Sequence, residues 1–298
     1  MSDRARLAAL AAAATGVQVG AATVASRFAL GEIDPASFAM LRYAIGFLCL
    51  VPALIAAPRA NFARRDLAPI AVLGIVQFGV LIWLLNYGLR FIPSGRAALI
   101  FSAFPLLTML LAAALGQEKL TGVKSLGVLA TILGVGLALG EKAAGATTDG
   151  WTGEIAVFAS ALCGATCAVL YHPYLRKYPT LPVSALAMLA SVVFLAGPAL
   201  GEGFFSHAPG LSIGGWFAVA FVGVSSGLGY FLWLWALANT TPTRATVFLS
   251  LSPVAAMLLG AIFLDETVTA LALIGLGFVA LGLWLAHRPQ SASTSLTG

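Results

Sequence analysis

The chain has 298 residues, of which 60% are hydrophobic and 9% charged, and its mean hydropathy is +0.98. A soluble domain carries about 25% charged residues, so this composition excludes a water-exposed globular surface and indicates a polytopic membrane protein. The net charge of +5 comes without a Lys/Arg run long enough for a nucleic-acid patch, so the basic excess is assigned to cytoplasmic loops and no nucleic-acid partner is expected.

About 20 apolar residues are needed to cross the hydrocarbon core. Turn residues and charges divide the chain into ten such pieces, at 7–28, 36–57, 67–89, 95–115, 122–140, 152–171, 182–200, 212–236, 244–263 and 268–286. The first, with Arg4 and Arg6 before an alanine-rich run, has the form of a signal peptide. Because further apolar segments follow, it is read as the first span. The second carries Arg42 about two turns in, where pairing with a backbone carbonyl is expected. The third carries Trp83, Asn86 and Tyr87, and the fourth opens on "RAALIFSAFP", Arg96 to Pro105. Cys163 and Cys167 on the sixth are read as small packing residues. With Cys49 the total is odd, and no disulfide framework is implied. The ninth opens on "RATVFLSLSP", Arg244 to Pro253, and the tail after Arg288 reads as disordered.

With the N-terminus inside, the inner loops and tails hold eleven basic residues: Arg4, Arg6, Arg59, Arg64, Arg65, Lys119, Lys124, Arg176, Lys177, Arg244 and Arg288. The outer loops hold four, Arg27, Arg90, Arg96 and Lys142. This bias places both termini in the cytoplasm.

The two quoted stretches belong to a repeat. At a constant offset of 148 residues, Arg96 recurs as Arg244, Ser102 as Ser250, Pro105 as Pro253 and Glu118 as Glu266. Gly127 and Gly134 recur as Gly275 and Gly282, and Gly16 as Gly164. Each half then holds five spans. An odd number makes the second half enter the membrane from the opposite face, which is the inverted-topology repeat of secondary transporters. The expected fold is therefore all-α and integral to the membrane: ten transmembrane helices in two five-helix inverted repeats. These are residues 1–148 and 149–288, with 289–298 as a cytoplasmic tail.

The repeated Arg–Pro–Glu spacing in two five-helix halves resembles the drug/metabolite transporter superfamily, and within it the EamA-type exporters. In overall sequence the chain is similar to the bacterial aromatic amino acid exporters of that branch. The resemblance implies a carrier of the bacterial cytoplasmic membrane, with no cofactor, that exports amino acids by alternating access.

Residue chemistry points to a central cavity. Pro105 and Pro253 each lie nine residues past an arginine at a membrane face, about 13–14 Å along the helix and near the midplane. Each frees a carbonyl, at Phe101 or Leu249, and is read as a hinge beside the transport path. Candidate cavity residues are Thr15 and Gln18 on the first span, Trp83, Asn86 and Tyr87 on the third, and Phe101, Ser102 and Phe104 on the fourth. Thr166 and Tyr171 on the sixth, Ser226, Tyr230 and Trp233 on the eighth, and Thr246 and Ser250 on the ninth complete the set. An aromatic-walled, weakly polar pocket suits apolar or aromatic amino acids and also flat organic cations. Arg96 shares the outer face with Glu266, and Arg244 the inner face with Glu118, so these pairs are candidate gates.

No Asp or Glu lies at the centre of a span. Proton-driven exporters often place a titratable carboxylate there, so facilitated export without tight proton coupling is expected. A polyspecific exporter of hydrophobic drugs or cations is the alternative. A membrane enzyme would need an acidic or histidine cluster, whereas His172, His207 and His287 are dispersed and no phosphate loop, zinc motif or nucleophile elbow occurs. Membrane lipid and a small solute are the expected partners. A monomer suffices because both repeats lie in one chain.

Overall fold

The computed structural model describes residues 3–57, 60–117, 151–206, 210–239 and 251–287, with separate helical positions between 122 and 137. The described residues are all-helical. In chain order the helices are α1 (Asp3–Ala29), α2 (Pro35–Ala56), α3 (Arg64–Gly74), a π-helical segment (Ile75–Val80) and α4 (Leu81–Leu89). They are followed by α5 (Ser94–Phe101), α6 (Phe104–Ala114), α7 (Thr152–Lys177), α8 (Thr180–Gly201), α9 (Ile213–Asn239), α10 (Leu251–Phe263) and α11 (Ala270–His287).

Six helical stretches among the described residues are long and apolar enough to cross a membrane: Pro35–Ala56, Arg64–Leu89, Ser94–Ala114, Thr152–Lys177, Thr180–Gly201 and Ile213–Asn239. Large apolar side chains such as Ile55, Val193, Phe217 and Leu258 point outward. Their exposure fits a bilayer, because lipid tails are as apolar as the residues they meet.

Two elements differ from the sequence reading. The sixth span was expected to stop at residue 171, but α7 runs through Pro173 to Lys177. Arg176 and Lys177 in its last turn complement the helix dipole, and Tyr178 N–H donates to the Tyr174 carbonyl at 2.8 Å. The fourth span is two helices rather than one kinked helix. Ser102 N–H turns back to the Ala98 and Leu99 carbonyls, each at 3.1 Å, and Ala103 N–H bonds Ile100 at 3.0 Å. Pro105 then sits in the first turn of α6, where its missing N–H costs nothing.

The helices pack closely because small residues meet. α1 lies on α9 and α10, α2 on α8 and α9, α3 and the π segment on α8, and α7 on α4 and α6. At the α2–α9 crossing a Cβ on Gly227 would lie 2.7 Å from the Gly46 carbonyl oxygen, and a Cβ on Gly74 would lie 2.5 Å from that of Ala187. Backbones this close leave no room for a side chain, which is how membrane helices gain van der Waals contact without a hydrophobic driving force.

Candidate functional site

Seven helical elements enclose a cavity. α1 contributes Thr15, Gln18, Val19, Thr23 and Ser26, α2 Arg42 and Tyr43, and the π segment Gln77 and Phe78. α4 adds Leu81, Ile82 and Leu85, the fourth span Phe101 and Phe104, and α9 Ser226, Gly229, Tyr230 and Trp233. The free volume is about 90 Å³, well above the roughly 10–15 Å³ that a single water needs.

The aromatic lining forms two continuous chains. Tyr43 meets Phe78 at 4.7 Å between ring centroids, and Phe78 meets Tyr230 edge-on at 3.9 Å. Phe101 stacks on Phe104 at 5.6 Å, and Phe104 meets Trp233 at 6.0 Å. Most polar side chains between them are already engaged. Thr15 donates to the Ala11 and Gly229 carbonyls at 2.9 and 3.3 Å, Gln18 Nε2 to Ser225 Oγ at 3.2 Å, and Thr23 to the Val19 carbonyl at 2.8 Å. Arg42 donates through Nε to Ser226 Oγ at 2.7 Å, rather than to the backbone carbonyl expected from the sequence.

Beside Ser26 an ion pair and hydrogen bonds cross one end of the bundle. Arg27 Nε lies 2.9 Å from Glu266 Oε1, and Arg27 Nη1 donates to the carbonyls of Leu89, at 2.6 Å, and Ile92. Glu266 also caps α5, accepting from Ser94 N–H at 3.0 Å, from Gly95 N–H at 3.4 Å and from Ser94 Oγ. Two other helices that start at this end are capped in the same way. Glu202 accepts from Ala36 and Ser37 N–H at 2.9 and 2.7 Å at the start of α2, and Glu32 from Ser212 N–H at 2.6 Å just before α9. A carboxylate at a helix N-terminus satisfies orphan N–H groups and meets the positive end of the dipole. Arg90 adds an ion pair with Asp34 at 2.7 Å.

At the opposite end, Asp66 accepts from Lys177 and from Tyr178 Oη, the latter at 2.6 Å, and Tyr178 Oη accepts from Ala63 N–H at 3.1 Å. This ties the start of α3 to the end of α7.

The sequence-derived site residues separate into three groups. Thr15, Gln18, Phe101, Phe104, Ser226, Tyr230 and Trp233 come together around the cavity. Trp83, Asn86, Tyr87, Ser102, Thr166 and Tyr171 do not line it. Asn86 Nδ2 donates to the Pro35 carbonyl at 3.2 Å, Ser102 and Thr166 bond back to Ala98 and Leu162, and Tyr87 packs on Phe91. Thr246, Ser250, Arg244 and Glu118 lie outside the described residues. Pro105 is buried in the first turn of α6, and Pro253 is buried on α10. The suggested Arg96–Glu266 gate is corrected in its cation. Glu266 takes Arg27, while Arg96 Nη1 lies 3.7 Å from Glu154. The helix ends that meet decide this, and residue spacing within one span does not report it.

Sequence reasoning assigned Arg42 to a backbone carbonyl rather than to the site, and missed Gln77 and the capping glutamates Glu32 and Glu202. For Arg42 a signal existed, since a charge well inside an apolar span marks function by default. Gln77 reaches the cavity through the π segment, a distortion frequent at functional sites and without a periodic signature. Among the described residues no three His, Cys, Asp or Glu side chains are grouped to hold a metal ion.

The EamA-like transporter family matches the chain twice, over residues 6–140 and 151–288. An uncharacterized transporter of Archaeoglobus fulgidus is 29% identical over 91% of this chain and 95% of its own length. A probable terminal-alkyne amino-acid exporter of Streptantibioticus cattleyicolor is 29% identical over 92% and 91%. A probable amino-acid metabolite efflux pump of Escherichia coli is 26% identical over 78% and 81%. One solved structure superposes with a TM-score of 0.70 at 21% identity, covering 95% of this chain and 96% of that one, and so shares the fold. The protein is a multi-pass membrane protein and belongs to the EamA-like transporter family.

Proposed function

We propose that the chain is a secondary carrier that exports neutral amino acids, aromatic and apolar ones included, from the cytoplasm. It works by alternating access between two inverted five-helix repeats, residues 1–148 and 149–288. The observation that carries this reading is a cavity with two aromatic walls lying directly under a sealed end, in a chain of a transporter family. Two relatives named as amino-acid exporters or efflux pumps support the substrate class.

The packing supports the repeat. Under the 148-residue offset, α1 against α9 corresponds to α7 against α4, and α2 against α9 to α8 against α3 and the π segment. α1 against α10 likewise corresponds to α7 against α6. Single contacts follow the offset as well, since Gly79 meets Phe194 as Gly227 meets Gly46. In this reading both termini are cytoplasmic, the Glu266 end faces outward, and one chain forms the carrier. The break before Pro105 is one hinge and Pro253, its counterpart under the offset, the other, and Glu266 is an outer gate with Arg27 as its cation.

No carboxylate is among the described residues lining the cavity, which favours downhill export over tight proton coupling. Purified protein in proteoliposomes provides the test. Preloaded unlabelled phenylalanine or leucine accelerates uptake of the labelled amino acid, as a carrier requires and a channel does not allow. An imposed pH step alone drives no accumulation. Absence of counterflow for all twenty amino acids overturns the substrate class, and pH-driven accumulation overturns the uncoupled mechanism. Flat organic cations are the second reading, favoured by the aromatic walls, and competition by cationic dyes distinguishes it.

A further inference from the structure

Arg42 is only 7% exposed, lines the cavity, and lies seven residues into α2. Among the described residues its hydrogen bonding consists of the Nε–H to Ser226 Oγ at 2.7 Å, and it has no acidic partner. A guanidinium carries five N–H groups in a rigid fork that matches a carboxylate. Its cation lies 5.4 Å from the Tyr43 ring centroid, so one face is held by the aromatic chain and Nε is fixed by α9. That leaves the two Nη groups oriented and without an anion. A charge in the hydrocarbon region is costly to keep, and a mere crosslink between α2 and α9 would need only a neutral donor.

We propose that Arg42 is the anchor for the substrate carboxylate, with Ser226 as the residue that positions it. The proposal rests on the amino-acid reading above and deepens it. The fork takes the carboxylate in the bidentate manner. The substrate side chain then lies along Tyr43, Phe78 and Tyr230, which continue from the residue next to Arg42. The ammonium group meets only neutral acceptors, such as the carbonyl oxygens of Gln18 and Gln77. The cavity therefore selects for the carboxylate end of its substrate, and a cation without a carboxylate is repelled. Aromatic walls alone suit flat cations. The buried arginine reverses that preference.

The experiment compares ligands of one shape. Phenylalanine, phenylalaninamide and phenethylamine compete with labelled phenylalanine in counterflow by wild type, Arg42→Lys, Arg42→Gln and Ser226→Ala. Leucine and leucinamide form a second set. In wild type the amide and the amine compete about tenfold to a hundredfold more weakly than the acid, the range expected for losing charge-assisted hydrogen bonds. Arg42→Gln removes that discrimination, and Arg42→Lys keeps part of it. Ser226→Ala weakens the acid more than the amide. Equal competition by acid and amide in wild type overturns the proposal without needing any variant to fold. So does an Arg42→Gln protein that weakens acid and amide alike, which is the mark of a structural crosslink. If wild type transports amino acids without preferring the carboxylate, the anchor alone falls. If it transports none of them, the amino-acid reading falls and the anchor with it.

Discussion

Among the described residues the two ends of the bundle are built differently. At the Glu266 end, three helix starts are each capped by a glutamate distant in sequence: α2 by Glu202, α5 by Glu266 and α9 by Glu32. Three arginines add ion pairs there, Arg27 with Glu266, Arg90 with Asp34 and Arg96 with Glu154. At the other end, the described residues offer one comparable cluster, Asp66 with Lys177 and Tyr178. Capping by remote carboxylates ties helices to one another as well as satisfying their N–H groups, so it crosslinks the end it serves. In the proposed alternating-access reading, these caps and ion pairs make the structure a state in which the Glu266 end is shut. The difference also separates two kinds of arginine. Arg27 directs Nε and Nη1 at Glu266 and two carbonyls, whereas Arg42, among the described residues, engages Nε alone and lines the cavity.

Breaking the shut end should have the largest effect. Glu266→Gln leaves the half-buried Arg27 without its anion and weakens the α5 cap. The expected result is about a tenfold rise in molecules open at that end, roughly 1.4 kcal/mol after discounting for the solvent reaching Arg27. Spin labels at the exposed positions Phe91 and Phe205 should report the shift as a longer distance population.

Glu202→Gln should be milder. The amide oxygen still accepts a bond from Ala36 or Ser37, and only the charge–dipole part is lost, about 0.3–1 kcal/mol. The same labels should show a smaller shift of the same sign. Asp66→Asn should have the smallest effect and the opposite sense, loosening the α3–α7 end and leaving the Phe91–Phe205 distance unchanged. If it opens the Glu266 end as much as Glu266→Gln does, the two ends are not independent and the comparison fails.

Much of the architecture is legible in the sequence, because bilayer thickness turns apolar run length directly into spans. The helices at 35–56, 180–201 and 213–239 fall within a few residues of the expected ones. The recurrence of Glu118 as Glu266 marks a residue that the structure then puts at the centre of the closed end. Its partner is not legible. Arg27, Leu89 and Ser94 lie on three different helix ends, and only the packed bundle brings them to one carboxylate. The cavity splits in the same way. Ser226, Tyr230 and Trp233 share a helical face that spacing reveals. On the third span, Trp83, Asn86 and Tyr87 have suitable chemistry, but the π turn re-registers the helix and presents Gln77 and Phe78 instead.

The most direct test uses Ser26, which lines the cavity just beneath Arg27 and is 1% exposed. With Cys49, Cys163 and Cys167 replaced by alanine, Ser26→Cys is challenged in oriented vesicles with a membrane-impermeant thiol reagent added from the Glu266 side. The account predicts slow labelling in an otherwise wild-type protein, about tenfold faster labelling when Glu266→Gln is added, and protection of both by bound phenylalanine. Rapid labelling that is indifferent to Glu266 and to phenylalanine would contradict it.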